Sequence, residues 1–132
     1  ALLPLLHLAQ REQGWVSPEA QEWLAERLDL TPAMVMGVTT FYTMYNQAPV
    51  GKYLLQLCRT LSCNLRGSED IRAHLMKSLS IEPGGTSTDG RFTLVEVECL
   101  GACGTAPAMM INDDYHENLT PARVDEILGT LA

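Results

Sequence analysis

Apolar residues recur at helical spacing through the first third of the chain. The first predicted helix, residues 2–13, carries a broad apolar face of Leu2, Leu3, Leu5, Leu6, Leu8 and Ala9. It is expected to end at Gly14, because glycine is favoured just after a helix. Ser17-Pro18 and Thr31-Pro32 then predict two further helix starts, since a hydroxyl can cap the first turn and proline fits the first helical position.

The second and third predicted helices are shorter. The second helix carries apolar residues at helical spacing, namely Ala20, Trp23, Leu24 and Leu28. The third helix carries Met34, Val35 and Val38. Both tryptophans, Trp15 and Trp23, are expected to anchor helices. The stretch GVTTFYTMYNQAPVG is interpreted as the end of the helical region and a linker, with Pro49 and Gly51 as breakers.

From residue 52 onward the pattern changes to short apolar runs that predict strands over residues 52–58, 92–99, 108–113 and 115–119. The first run places Tyr53, Leu55 and Leu57 on one face. A helix capped by Ser68 is predicted between the first two strands, with Ile71, Leu75 and Leu79 as its apolar residues. A last helix starts at Thr120-Pro121 and carries the stripe Val124, Ile127, Leu128 and Leu131. The predicted order is therefore β-α-β-β-β-α.

Composition and charge narrow the function classes. The chain has 132 residues, of which 46% are apolar, and its net charge is −7, from 9 basic and 16 acidic residues. Such a chain repels phosphate backbones, so nucleic-acid binding is not expected. No apolar run is long enough to span a bilayer. No export signal is recognised in ALLPLLHLAQ, so a reducing compartment is expected, where clustered cysteines more often bind metal or do redox chemistry than form disulfides.

All four cysteines lie in two loops that follow the first two predicted strands. Cys58 and Cys63 are spaced C-x4-C, and Cys99 and Cys103 are spaced C-x3-C. A β-α-β crossover makes the two strands parallel, so both loops are expected at the same edge of the sheet. Ligands commonly bind at that edge in parallel sheets.

Three chemistries fit four converging thiols. A 2Fe–2S cluster needs four thiolates, and glycines around Cys103 would let backbone N–H groups approach the sulfurs. Structural zinc is an alternative, although neither pair has the common C-x2-C spacing. Disulfides or thiol exchange are a third, although neither pair has the C-x2-C form of thioredoxin-type motifs. His7, His74 and His116 are scattered and are expected to be surface or packing residues. Arg59 and Arg66 either balance charge near the cysteines or are solvated.

Taken together, the motifs resemble a known family. The C-x4-C pair, VECLGAC and AP-x-M-x-IND-x-YHENLT are similar to the thioredoxin-like 2Fe–2S ferredoxin subunits of the NADH dehydrogenase module of respiratory complex I. AQREQGWVSPEA and GVTTFYTMYN-x-x-PVGKY look like the family's helical region and its junction, so the resemblance covers nearly the whole chain.

The resemblance implies a fold class and a set of ligands. The fold is α+β, with an N-terminal helical region over residues 1–47 and a thioredoxin-like ferredoxin domain with a mixed four-stranded sheet over residues 48–132. Cys58, Cys63, Cys99 and Cys103 take the positions of the four ligands of the 2Fe–2S cluster. By analogy with thioredoxin folds, Pro107 is a candidate cis proline.

The resemblance also implies an electron-transfer subunit of NADH-quinone oxidoreductase. Its cluster would exchange single electrons with the FMN of a partner flavoprotein that also binds NADH, and the chain itself lacks the G-x-G-x-x-G dinucleotide fingerprint. The expected place is the peripheral arm, on the cytoplasmic or mitochondrial matrix side of an energy-transducing membrane, which the chain meets only through partners. The same type of subunit in an NAD-linked hydrogenase or formate dehydrogenase, and a zinc-stabilised interaction module, are the alternative interpretations.

Overall fold

A helical unit precedes a sheet-containing unit in the computed structural model, which describes residues 1–131. The first unit is Ala1–Val50, and the second begins at Gly51. The first contains α1 (Leu2–Gln13), α2 (Pro18–Leu28) and α3 (Pro32–Phe41). No helix among residues 1–131 is both long and apolar enough to cross a membrane.

Local chemistry explains where the three helices begin and end. Gly14 ends α1 in the left-handed region at φ 82°, where a side chain is disfavoured. The hydroxyls of Ser17 and Thr31 each accept a hydrogen bond from the backbone N–H three residues on, which confirms both predicted starts. Helix α3 ends at Phe41, within the stretch predicted to hold the end of the helical region, and Val35 and Thr39 are its buried residues.

The helical unit has its own apolar core, formed by Leu6, Val16, Leu24, Ala25, Val35 and Tyr45. Tyr45 joins α1 as well, because its hydroxyl donates to the Leu3 carbonyl at 3.0 Å. The expectation that Trp23 anchors a helix is wrong: it is 54% exposed, and α2 turns Leu24 and Ala25 inward instead.

The second unit contains a mixed four-stranded sheet of β1 (Tyr53–Cys58), β2 (Phe92–Val97), β3 (Met109–Ile111) and β4 (Asp114–His116). The spatial order is β2-β1-β3-β4. β1 and β2 are parallel, as predicted, and the two remaining pairings, β1 with β3 and β3 with β4, are antiparallel. The α+β fold class with preceding helices is thus confirmed.

Within residues 51–131 three helices accompany the sheet: α4 (Leu61–Leu65), α5 (Ser68–Leu79) and α6 (Pro121–Thr130). The main apolar core of this unit consists of Leu55, Leu57, Ile71, Leu75, Ile81, Phe92, Leu94, Met109, Ile111, Leu119, Val124 and Ile127. The predicted faces of α5 and α6 are therefore correct, but the cap of α5 is Gly67 rather than Ser68, which is the first helical residue and is buried.

Candidate metal centre

The parallel pairing of β1 and β2 positions the two cysteine loops. Cys58, the last residue of β1, is in register with Val97, the last residue of β2, and the Arg59 N–H donates to the Val97 carbonyl at 3.0 Å. Cys99 lies two residues beyond β2, which is shorter than the predicted 92–99 strand. Both loops therefore leave the sheet at the same edge, as the crossover argument predicted.

The first loop contains a helix that the sequence pattern did not reveal. Residues Leu61–Leu65 form α4, and this turn of helix directs Cys63 inward while Leu61 and Leu65 are exposed. Cys58 and Cys63 are buried, with 1% and 2% of their surfaces exposed, against Ala106 and Ala108. The peptide bond between Ala106 and Pro107 is cis, as expected for this position.

The second loop holds the exposed half of the centre. Cys103 begins a short 3-10 turn, Cys103–Thr105, and its sulfur lies 3.6 Å from the sulfur of Cys99. Both of these cysteines are exposed, and all four cysteines are free thiols rather than disulfides. Side chains from beyond β3 support the loop: the Tyr115 hydroxyl donates to the Leu100 carbonyl at 2.8 Å, and the Thr105 hydroxyl donates to Glu117 at 2.7 Å.

Hydrogen bonds to sulfur shift the pKa values of the thiols. Burial raises the pKa of Cys58, but hydrogen bonds from the hydroxyl and N–H of Thr60, the N–H of Leu100 and the thiol of Cys63 outweigh it, so the pKa is lowered. Burial, the bond to Cys58 and the charges of Cys58 and Cys103 raise the pKa of Cys63. The Gly101 N–H, 3.4 Å from the Cys99 sulfur, is the main cause that lowers the pKa of Cys99. The pKa of a thiol in the first loop, Cys63, therefore depends on a thiol in the second loop, Cys103.

The other candidate residues lie outside the thiol group. Arg59 forms a 2.8 Å ion pair with Glu98 at an exposed position, and Arg66 donates to the Ala106 carbonyl at 3.0 Å. His7 contacts the Tyr45 ring, and His74 pairs with Asp125 at 2.6 Å. His116 is in β4. Among residues 1–131, no three His, Cys, Asp or Glu side chains are gathered tightly enough to hold a single metal ion.

A 2Fe–2S cluster fits this donor set. It requires four thiolates, and the two loops supply four free thiols at one sheet edge, with backbone N–H groups of Leu100 and Gly101 directed at sulfur.

Sequence reasoning missed Thr60 and Tyr115. A threonine inside a cysteine loop was the available signal for the first, whereas nothing local indicates that Tyr115 reaches Leu100.

Comparison with known proteins supports the same chemistry. The family model "Thioredoxin-like [2Fe-2S] ferredoxin" matches residues 1–132. NADH-quinone oxidoreductase subunit 2 of Thermus thermophilus is 46% identical over 132 residues, which is 99% of this chain and 73% of that protein. A subunit of the NADH-quinone oxidoreductase of Rickettsia typhi is 47% identical over 129 residues, covering 97% of this chain and 76% of the relative.

A solved structure shares the fold. A chain of an NAD+-reducing [NiFe]-hydrogenase in the air-oxidized state superposes with a TM-score of 0.84 and 25% identity. The match covers 98% of this chain but only 22% of the hydrogenase chain, so this protein spans about a fifth of that longer polypeptide.

Proposed function

The chain belongs to the thioredoxin-like [2Fe-2S] ferredoxin family, and from that premise we propose that it is an electron-transfer subunit of NADH-quinone oxidoreductase. In this role it binds a 2Fe–2S cluster that exchanges single electrons with the FMN of a partner flavoprotein. Relatives of that name at 46% and 47% identity support the host complex. The carrying observation is the convergence of four free thiols from two loops at one sheet edge.

The four cysteines would hold the cluster as thiolates. When bound, a 2Fe–2S cluster supplies one-electron redox chemistry and no bond making in a substrate. The chain's own part is to bury the Cys58 and Cys63 side and to direct the N–H groups of Leu100 and Gly101 at sulfur. Such hydrogen bonds stabilise the extra negative charge of the reduced state.

Electron exchange takes place at the exposed side of the centre. Cys99 and Cys103 are exposed, and so are Leu61 and Leu65, at 74% and 79%, on the helix that carries Cys63. Exposed leucines beside a redox centre suit a protein partner better than water, because a docked partner removes their apolar surface from solvent. We assign this side to the flavoprotein that carries FMN and NADH.

The helical region adds a second surface for the same assembly. Exposed large apolar side chains are numerous in this unit: Leu8, Trp23, Met34, Met36, Phe41, Tyr42 and Met44. Their number supports a partner contact.

In this proposal, residues 1–47 form an interaction domain and residues 48–132 form the ferredoxin domain. The complex holds the chain in the peripheral arm, on the cytoplasmic or matrix side of the membrane.

An NAD-linked hydrogenase is the second candidate host, because the hydrogenase chain shares the fold at a TM-score of 0.84. The two hosts differ in their other subunits. The complex is purified from native cells through a tag on this chain, and its subunits are identified. Their identities distinguish the two hosts. A quinone-reducing set of subunits supports the first host, and a nickel-containing subunit supports the second.

The electron-transfer step has its own test. The purified complex is mixed with NADH under anaerobic conditions, and the flavin and cluster signals are followed by absorbance and EPR. Reduction of a cluster signal that is lost in the Cys58→Ser complex supports exchange with the partner's flavin. A cluster that no NADH concentration reduces, and that does not reoxidise a chemically reduced flavin, contradicts it.

A further inference from the structure

Thr60 occupies a helix-capping position without capping the helix. It precedes Leu61, the first residue of α4, and its backbone is extended at φ −78° and ψ 171°, but its side chain makes no bond to the first turn. Ser17, Thr31 and Thr120 occupy the same position before α2, α3 and α6, and each accepts a hydrogen bond from the N–H three residues on. The Thr60 hydroxyl is therefore engaged elsewhere.

Its partner is sulfur. The Thr60 Oγ1 atom lies 3.3 Å from the Cys58 Sγ atom. The Thr60 hydroxyl thus contacts a buried thiol of its own loop, a contact that neither the spacing of the cysteines nor a capping role requires.

We propose that Thr60 is a positioning residue of the metal centre, whose hydroxyl donates a hydrogen bond to the Cys58 sulfur and thereby raises the reduction potential of the bound cluster. The inference rests on the proposed function, because it concerns the cluster that Cys58 would hold. A metal-bound thiolate carries no proton, so the hydroxyl must be the donor once Cys58 is a ligand.

The direction of the effect follows from charge. A reduced cluster is more negative than an oxidised one, so a donor to its sulfur stabilises the reduced state more and favours reduction. Water cannot replace this donor, since Cys58 is only 1% exposed. The effect of the hydroxyl is therefore not lost to solvent competition, as it would be at an exposed sulfur.

The test uses the full chain with its cluster and compares four variants. Thr60→Val and Thr60→Ala remove the hydroxyl with two different side-chain shapes, and Thr60→Ser keeps it. Thr120→Val is the matched control, because it removes a capping hydroxyl that bonds to Arg123 N–H and not to sulfur. Midpoint potentials are measured by EPR-monitored titration, and iron–sulfur stretching bands by resonance Raman in H2O and D2O.

Both hydroxyl-free variants are expected to shift the reduction equilibrium about tenfold toward the oxidised form, which is about 59 mV for one electron. They also lose part of the D2O shift of the bands. Thr60→Ser stays within about twofold of the parent, and Thr120→Val lowers thermal stability without moving the potential.

Unchanged potentials and bands in both hydroxyl-free variants overturn the inference, and so does an equal shift in Thr120→Val. Either result leaves the proposed function standing, provided the parent chain holds a cluster. A parent chain that takes up no cluster overturns both. Loss of the cluster in Thr60→Val and Thr60→Ala but not in Thr60→Ser supports the role of the hydroxyl at the centre.

Discussion

The sulfur atoms of Cys99 and Cys103 lie 3.6 Å apart on the exposed side of the centre, while Cys58 and Cys63 are buried. The centre is therefore asymmetric, with one cysteine pair inside the fold and the other open to solvent or a partner. All four thiolates are needed to hold the cluster, and the surface around the exposed pair should govern contact with the partner.

Replacement of Cys58 by serine is expected to abolish the native visible and EPR spectra of the cluster. A serine oxygen is a harder ligand than a thiolate and suits an iron–sulfur core less well. Ser62→Ala is the control, since it removes a hydroxyl from the same loop without touching a thiol. A Cys58→Ser protein with the parent spectrum would show that Cys58 is not a ligand.

Polar replacement of the exposed leucines is expected to weaken binding of the flavoprotein. Leu61→Asn and Leu65→Asn, combined, should reduce affinity about tenfold or more, or about 1.4 kcal/mol, because apolar contact at the interface is lost. The exposed Ser78→Asn change on α5 is the control. Affinity is measured by calorimetry, with the cluster spectrum checked in each variant. If the double leucine variant binds the flavoprotein as tightly as the Ser78→Asn control, the interface lies elsewhere.

Removal of the Tyr115 hydroxyl is expected to loosen the second cysteine loop. Tyr115→Phe deletes the 2.8 Å bond to the Leu100 carbonyl, a bond worth about 1 kcal/mol. Loss of iron to a chelator should therefore be up to about fivefold faster. Tyr42→Phe, an exposed tyrosine in the helical region, should leave the rate unchanged. A Tyr115→Phe protein that releases iron at the parent rate would mean that this bond does not restrain the loop.

Alkaline pH should destabilise the helical region through Tyr45. Burial, with a smaller contribution from Tyr42, raises the pKa of Tyr45, so the folded state holds this proton to higher pH than the unfolded state. The contribution of Tyr45 to stability is therefore fully present below the unfolded pKa of about 10 and is lost as pH rises through the folded pKa. Tyr45→Phe should lower the free energy of unfolding by about 1 kcal/mol at neutral pH, because the hydrogen bond to the Leu3 carbonyl is lost. Above a pH of about 10, the free energy of unfolding of the variant should fall less steeply than that of the parent.

Urea unfolding of parent and Tyr45→Phe proteins between neutral and alkaline pH measures this difference. The dependence of stability on pH is compared between the two proteins, because they differ in sequence only by the Tyr45 hydroxyl. Parallel decreases in stability would show that Tyr45 releases its proton equally easily in the folded and unfolded states.

The longer helices of this fold were predictable from sequence because of their apolar period, and the short helix α4 was not. The stripe of Val124 and Ile127 identified α6, because ten residues offer several turns of repeat. Helix α4 has only five residues and one buried side chain, Cys63, so it has no detectable period. Trp23 was misplaced because helical spacing defines a face only to within a residue, and the neighbouring Leu24 and Ala25 are the buried ones.

The convergence of the cysteine loops was also predictable, since a β-α-β crossover requires the ends of β1 and β2 to meet. The orientation of the Thr60 hydroxyl was not. A threonine before a helix ordinarily bonds to the first turn, and the alternative bond to Cys58 depends on the placement of the sulfur in three dimensions.

The central claim is that four thiols hold a 2Fe–2S cluster, and the most direct test is on the anaerobically purified chain. Iron, zinc and acid-labile sulfide are assayed, and visible and EPR spectra are recorded before and after dithionite. Two irons and two sulfides per chain, with a spin-half signal only after reduction, are the expected result. A colourless protein that resists anaerobic reconstitution, with zinc or disulfides accounting for Cys58, Cys63, Cys99 and Cys103, would contradict the account.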